Sequence, residues 1–369
     1  MLRFHIQNVG QGDSIIVEHH DGQCHSFGVV DSNIVSGETP KALTRLQELG
    51  AQQLSFVCLT HPHRDHFRGL SEIMQAFEGK IDQFIIFPAG EYIGANARDL
   101  AKKYRELAKS QDDPDVTKSA WELVRIFALI DKSKGFASVA EYAGPHNQVP
   151  VQGFNGVEVM CVLPFRKFKD TYLQKIRRND PTIFESEEEN DLSLVLLFRY
   201  QGVNVLLGGD ATKKNWREHM NHQHTRGLNP IHSTAVKIPH HGSKHDCTAD
   251  VLEVAFLTKE DEERYAFISA NGVKHPHEDV LQALEDRNIK PYCTNLHKKC
   301  GANVHKFIKV AGLDPVLGKY INQLSEEVVV QPCQGDITFE IDETGATTLS
   351  RQRKIPCGFR GELNFLPNT

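Results

Sequence analysis

The chain is 369 residues long, which excludes a minimal module and fits one large elaborated domain or two ordinary ones. Apolar residues make up 40% and charged residues 24%, which excludes bulk disorder, and no run approaches the roughly 20 apolar residues of a bilayer span. Asp and Glu number 48 against 42 Lys and Arg, a formal charge of −6, so any anionic partner has to be bound locally rather than by a global field.

The chain opens as a strand rather than a basic, apolar leader, and its eight cysteines are scattered without a Cys-x-x-Cys pair. The cysteines read as reduced and mostly buried, and the expected location is cytoplasmic, with no membrane partner. Leu2, Phe4 and Ile6 alternate in a first strand, Leu2 to Val9. A Gly10-Gln11-Gly12-Asp13 turn leads to strands at Ser14 to Glu18 and Ser26 to Asp31. Leu43, Leu46 and Leu49 have helical spacing within Lys41 to Leu49, and Leu54 to Thr60 is a short apolar run suited to a sheet interior. A helix at Gly69 to Phe77 and a strand at Gln83 to Phe87 follow.

Residues 91–150 change character, becoming charged and helical (Ala95 to Ser110, Lys118 to Lys132), and read as an insertion into a single domain spanning 1–369. Strands resume at Val157 to Leu163, Leu192 to Tyr200, Val203 to Leu207, Ala235 to Ile238, Tyr265 to Ser269 and Pro291 to Thr294, with helices at Ala249 to Leu257 and Glu278 to Arg287. Residues 296–369 read as an extension that completes the fold: a helix at Val316 to Leu324, strands at Asp336 to Ile341 and near Thr347, and a loose tail after Lys354.

The strongest chemical signal is Thr60-His61-Pro62-His63-Arg64-Asp65-His66, three imidazoles and a carboxylate directly after a buried strand. Neutral imidazole and carboxylate are ligands for zinc, manganese or iron, and a loop can converge groups that a strand would point apart. His61 and His63 could serve one ion and Asp65 and His66 its neighbour. Two weaker signals also sit at strand ends: Asp210 in Gly208-Gly209-Asp210, and Lys237-Ile238-Pro239-His240-His241-Gly242-Ser243. Ligands from three chain regions suit two divalent ions bridged by one carboxylate, zinc first and manganese second.

This ordered series resembles the metallo-β-lactamase fold, and more closely its branch related to the nuclease-like domain of the DNA-uptake protein ComEC (ComEC/Rec2-like), without the membrane channel. Val9-Gly10-Gln11-Gly12-Asp13-Ser14 is similar to that branch's opening motif, Val29-Val30-Asp31 to its strand-end aspartate, Asn190-Asp191-Leu192-Ser193 to its Asn/Ser motif and His275-Pro276 to its late His-Pro. The resemblance runs from Met1 to about Asn295. It implies an α/β fold of αββα type, two mixed β-sheets face to face with helices outside and metals at one sheet edge.

The resemblance also implies roles: His61, His63, Asp65 and His66 as the first ligand motif, Asp210 as the bridging carboxylate, and one of His240 and His241 as the last ligand. His241 is preferred, on the expectation that neighbours in an extended segment face opposite sides. Many members carry a further histidine where this chain has Asn190 and Asp191; His146 could compensate, although a loop histidine is more often solvated. Asp13 and Asp31 read as turn formers or as carboxylates that orient an imidazole.

The expected activity is hydrolysis of a phosphodiester, DNA or a nucleotide, by a metal-bridging hydroxide, with His240 or His245 donating to the leaving oxygen. Lys237, Lys244 and His245 are candidates for holding an anionic group, Asn190, Ser243 and His275 for substrate or ligand support. Ser243 is not read as a nucleophile, since a neighbouring histidine does not make a triad. The stretch Arg166-Lys167-Phe168-Lys169 and Lys175-Ile176-Arg177-Arg178 could track a phosphate backbone or form a solvated loop balanced by Glu185 to Glu189. His219, His222 and His224 read as a solvated face. Two other readings stay open: a phosphocholine esterase, lactonase or cyclic-nucleotide esterase with the insertion as lid, and a non-catalytic accessory protein. A protein partner or homodimer is not specified by the sequence.

Overall fold

A computed structural model of the chain describes residues 1–353 apart from 35–37, 88–96, 111–112, 134–136, 142–145, 179, 181–186, 228–229, 257–262, 271–273 and 297–332. The expected helix at Val316 to Leu324 and the tail after Lys354 lie outside the described residues. In the fourth strand, β4 (Phe56–Leu59), every residue is buried because both faces are covered. Phe56 and Cys58 enter one apolar layer, Val57 and Leu59 another. That continuous burial is why the segment reads as an unbroken apolar run.

The same two-sided burial organises the molecule. The strands β1 (Leu2–Ile6), β2 (Ile15–His20), β3 (His25–Val30), β4, β5 (Gln83–Ile86) and β6 (Ser138–Glu141) form one sheet with β14 (Ile337–Ile341) and β15 (Thr347–Arg351), in the order β15-β14-β1-β2-β3-β4-β5-β6. The second sheet takes β7 (Asn147–Gln148), β8 (Glu158–Leu163), β9 (Val195–Tyr200), β10 (Val203–Leu207), β11 (Ala235–Lys237), β12 (Tyr265–Ile268) and β13 (Lys290–Cys293), in the order β13-β12-β11-β10-β9-β8-β7. Each is mixed: β3 to β6 and β10 to β13 pair in parallel, the remaining neighbours antiparallel.

Phe4, Phe198, Phe267, Phe339 and Ile85 fill the layer between the sheets, with the rings of Phe4 and Phe198 edge to face at 5.2 Å. Helices α1 (Lys41–Glu48), α3 (Leu70–Ala76), α4 (Ala97–Lys109), α5 (Pro114–Lys132) and α6 (Lys169–Arg178) supply apolar residues to a layer outside the first sheet. Helices α7 (Lys213–Arg226), α8 (Ala249–Ala255) and α9 (Glu278–Glu285) do so outside the second. No described helix is long and apolar enough to cross a membrane.

Two boundaries differ from expectation for local reasons. Helix α5 starts at Pro114 rather than Lys118, because the Asp113 carboxylate caps it, accepting from the amides of Asp115 (2.7 Å) and Val116 (3.2 Å), with proline at the first helical position. The strand expected from Leu192 starts at Val195, since Glu187–Leu192 winds into a 3-10 turn closed by Ser193 N–H on the Asn190 carbonyl (3.0 Å). The described helices of the insertion pack into the fold, since Tyr104, Leu123 and Phe127 share one apolar layer with Phe67, Phe87 and Leu192.

Candidate metal centre

Parallel strands end together at one edge of both sheets, and the side chains just beyond those ends form the cluster. Asp31 follows β3, Thr60 and His61 follow β4, Asp210 follows β10, and His240 and His241 follow β11. His63 caps a short helix, α2 (Arg64–Phe67), whose single turn carries Asp65 and His66 inward.

The Gly10–Asp13 turn is the floor. Gly12 has φ +105°, and a side chain there would strike the Asp65 carbonyl at 2.1 Å, so only glycine lets this turn close on the motif. The next amide, Asp13 N–H, donates to that carbonyl at 3.2 Å. On the opposite sheet Gly209 (φ +50°) sits against Ser193, whose hydroxyl accepts from Asp210 N–H at 2.8 Å. The Asn/Ser motif thereby aims Asp210.

His66 is fully buried, with Nδ1 on Asp31 Oδ2 at 2.7 Å and Nε2 facing Asp210 Oδ1 at 3.3 Å. Asp31 is itself held by the Thr60 amide (2.8 Å) and hydroxyl (2.6 Å), which places it as the orienter of an imidazole. His241 Nε2 stands 3.3 Å from Asp210 Oδ2 and 3.4 Å from Asp65 Oδ2. Ligand atoms of His61, His66 and Asp210 lie within 4.8 Å of one another, as do those of Asp65, His66 and His241. His63 stands beside His61, ring centroids 4.8 Å apart.

The electrostatics follow from the crowding. Burial favours neutral His66, yet the Asp210 and Asp31 carboxylates override it and hold the imidazole well above its usual range. For His241 burial is likewise outweighed by Asp210 and Asp65, which raise it to about 9. His61, buried and beside two other imidazoles, is pushed well down, the neutral form a ligand needs. Nε2 of His61, His66 and His241 and Oδ1 of Asp210 are buried with no hydrogen-bond partner. Leaving such groups unmade costs about 1–3 kcal/mol each. Orphaned imidazole nitrogens standing beside carboxylate oxygens in two groups that share His66 fit a divalent cation.

The expectation that only one of His240 and His241 faces the centre is corrected. Both residues adopt left-handed backbone (φ 45° and 52°), not an extended one, so both rings turn toward Asp210, His240 Nε2 at 4.0 Å. His240 Nδ1 binds Asp246 Oδ2 at 2.6 Å, and its Nε2 lies 3.4 Å from the Asn190 amide nitrogen. Sequence reasoning missed Asp246; its spacing, six residues after His240 across a turn, carries no recognisable signal. Asp246 also accepts from Lys213 N–H (3.0 Å) and the Ser243 hydroxyl (3.2 Å), which places Ser243 in that network. His275 approaches both rings, 5.9 Å from His240 and 6.4 Å from His241.

Other candidates are placed elsewhere. His245 is exposed and its side chain joins none of these contacts. Lys237 does not reach for an anion: it is wholly buried, with Nζ 2.8 Å from Asp13 Oδ2, because β11 is covered on both faces. His146 stacks on His219 (5.5 Å, 16°) rather than joining the carboxylates. His219 is fully buried, not solvated; burial and the neighbouring imidazoles lower it to about 3. In the basic stretch Lys167 pairs with Glu218 (2.6 Å) and Lys175 with Glu188 (2.8 Å) and Glu189 (3.2 Å).

Two mixed sheets with helices on both outer faces form an αββα sandwich, with a histidine-carboxylate cluster at one sheet edge. No family model matches the chain, and no curated protein matches it. Solved structures overlap it at low identity: a CmlA beta-hydroxylase variant (13%, TM-score 0.39), covering 79% of this chain, which spans 52% of that one. Zinc-bound PqqB from Methylobacterium extorquens is 11% identical over 79% of this chain and 98% of its own, with a TM-score of 0.40. The metallo-beta-lactamase fold protein YhfI from Bacillus subtilis is 8% identical over 79% and 96%, with a TM-score of 0.41.

Proposed function

We propose that the chain is a metal-dependent phosphodiesterase. The observation that carries this reading is the pair of overlapping donor groups, His61–His66–Asp210 and Asp65–His66–His241, in which Nε2 of all three imidazoles is buried without a hydrogen-bond partner. Asp210 faces His66 with Oδ1 and His241 with Oδ2, so one carboxylate stands beside both donor groups. Zinc or manganese held there by His61, His63, Asp65, His66, Asp210 and His241 would polarise a phosphoryl oxygen and activate a water molecule.

The chain's own residues do the rest. Asp31 and Thr60 fix the ring of His66, and Ser193 fixes Asp210. His240 is partly exposed; burial lowers its proton affinity, but Asp210 and Asp246 raise it above the usual range. It can therefore hold a proton at Nε2 for a departing alkoxide, while Asp246 keeps the ring aimed. The likeness of Val9-Gly10-Gln11-Gly12-Asp13-Ser14, Asn190-Asp191-Leu192-Ser193 and His275-Pro276 to the ComEC branch supports a phosphate ester over a lactone or β-lactam. The internal pairing of Lys167 and Lys175 favours a small phosphodiester over a nucleic-acid chain.

The test is metal content per chain together with turnover of bis(p-nitrophenyl) phosphate, a lactone and a β-lactam. Up to two zinc or manganese ions and turnover of the phosphodiester alone are expected. Asp210→Ala and Asp65→Ala should each lower that turnover more than 100-fold, about 2.7 kcal/mol of barrier, with circular dichroism unchanged. Activity within tenfold of the parent, or preference for the lactone or β-lactam, overturns the reading. Cleavage of single-stranded DNA across a salt series separates the substrate sizes: a steep slope that flattens when Arg166, Lys167, Arg177 and Arg178 are neutralised would favour nucleic acid.

A further inference from the structure

Lys237 is fully buried at the end of β11 in the second sheet, and Asp13 lies in the turn two residues before β2 of the first. Their ion pair at 2.8 Å therefore spans the two sheets directly beneath the strand-end cluster. The ammonium is completed by the Ile238 carbonyl at 3.1 Å. Removing two charges from water costs several kcal/mol per ion, and an apolar pair of similar volume usually serves stability as well or better. Burial of the pair therefore calls for a reason other than stability.

The geometry supplies one. Asp13 uses Oδ2 for Lys237, but its Oδ1 is buried without a partner, and it lies 3.8 Å from His241 Nδ1, also buried without a partner. The backbone of Asp13 is pinned separately by its amide bond to the Asp65 carbonyl. For His241 to offer Nε2 to a cation, its proton must sit on Nδ1 and find an acceptor. Asp13 Oδ1 is the acceptor that faces it.

Resting on the metal-centre reading above, we propose that the Lys237–Asp13 pair is a positioning unit for the cation site. Lys237 compensates the buried carboxylate, and Asp13 Oδ1 receives Nδ1–H of His241, so that the imidazole enters the site in one tautomer and orientation. Lys237 is thus an internal counter-ion and takes no part in holding substrate.

The experiment compares the full-length parent with the double variant Asp13→Ala/Lys237→Met, which removes both charges together and strands neither. Zinc affinity is measured by competition with a chromophoric chelator, and thermal stability is measured after chelation. A positioning unit predicts a metal-free melting temperature within a few degrees of the parent and zinc binding weakened 10- to 100-fold. A pair that only holds the sheets together predicts the reverse, unchanged zinc affinity and a lower melting temperature, and would overturn the proposal. If the variant fails to fold, the parent decides: nitrogen-15 correlation spectra of the zinc-loaded protein should show His241 protonated at Nδ1, and a proton at Nε2 overturns it. A parent that binds no zinc in the competition assay refutes the metal-centre reading itself, and the positioning unit falls with it. A parent that binds zinc as tightly as the double variant refutes only the positioning unit.

Discussion

At the scale of single residues the site divides its histidines by what holds the far nitrogen. His66 leans on Asp31, His240 on Asp246, and His61 Nδ1 lies 3.1 Å from the Thr60 hydroxyl. Only His240 among these three is partly exposed, which suits proton delivery rather than ligation. His240→Gln is therefore expected to lower kcat by about 10²–10⁴ for a phosphodiester with an alkyl leaving group. The loss should be small for p-nitrophenolate, which departs without a proton. A uniform loss across leaving groups, measured as a series of kcat values, would show that His240 acts in some other way. The ligand motif was legible in the sequence because four donors follow one buried strand. Asp13 and Asp31 could be named as possible orienters but not matched to their imidazoles, because they meet them across separate strands and turns, and Asp246 was not found because a six-residue spacing across a turn carries no signal.

At the scale of elements, two features set stability away from the site. On the outer side of the first sheet Glu18 of β2 is buried among His5 Nε2 (2.7 Å), His25 Nε2 (2.8 Å) and Arg3 Nη1 (3.1 Å). Burial raises the carboxyl, but these hydrogen bonds and charges outweigh it and lower it to about 2. A depressed carboxylate stabilises the fold fully above its unfolded value near 4.5, and that contribution is lost as pH falls toward 2. Glu18→Gln should lower stability by about 1–3 kcal/mol at pH 6, with the gap to the parent closing between pH 4.5 and 2 in urea titrations.

The second feature is the insertion. Arg64 of α2 reaches the Ser119 hydroxyl of α5 at 3.0 Å, and Glu122 accepts from Ser71 N–H at 3.2 Å, so α5 braces the ligand motif. Leu123→Ala should cost about 2–5 kcal/mol, as for other large core deletions, whereas a mere lid would lose little; chemical denaturation distinguishes them. The helices of the insertion could be read from their apolar spacing. Their burial against Phe67 and Phe87 could not, since charge dominates the local composition and the packing partners lie far along the chain.

At the scale of the whole molecule, the candidate centre links folding to protons and, on the proposed reading, to metal. Without a cation, His66 and His241 take up the carboxylate charge; their raised values mean stability that is complete below about 6.5 and lost as pH rises through about 9 for His241. The chelated protein should accordingly melt lower at pH 9.5 than at pH 7. Zinc at about 100 times its Kd should add about 2.7 kcal/mol and flatten that pH dependence, which calorimetry at the two pH values checks. The order of strands in the first sheet has a consequence for synthesis. Leu2–Ile6 pairs on one side with Ile15–His20 almost as soon as it is made, but its other side waits for Ile337–Ile341. Until the ribosome has passed those residues, the nascent chain presents an open strand edge backed by Leu2, Phe4 and Ile6. Such an edge is a template for wrong pairing, so the growing polypeptide needs shielding there until its late partner strand has been made.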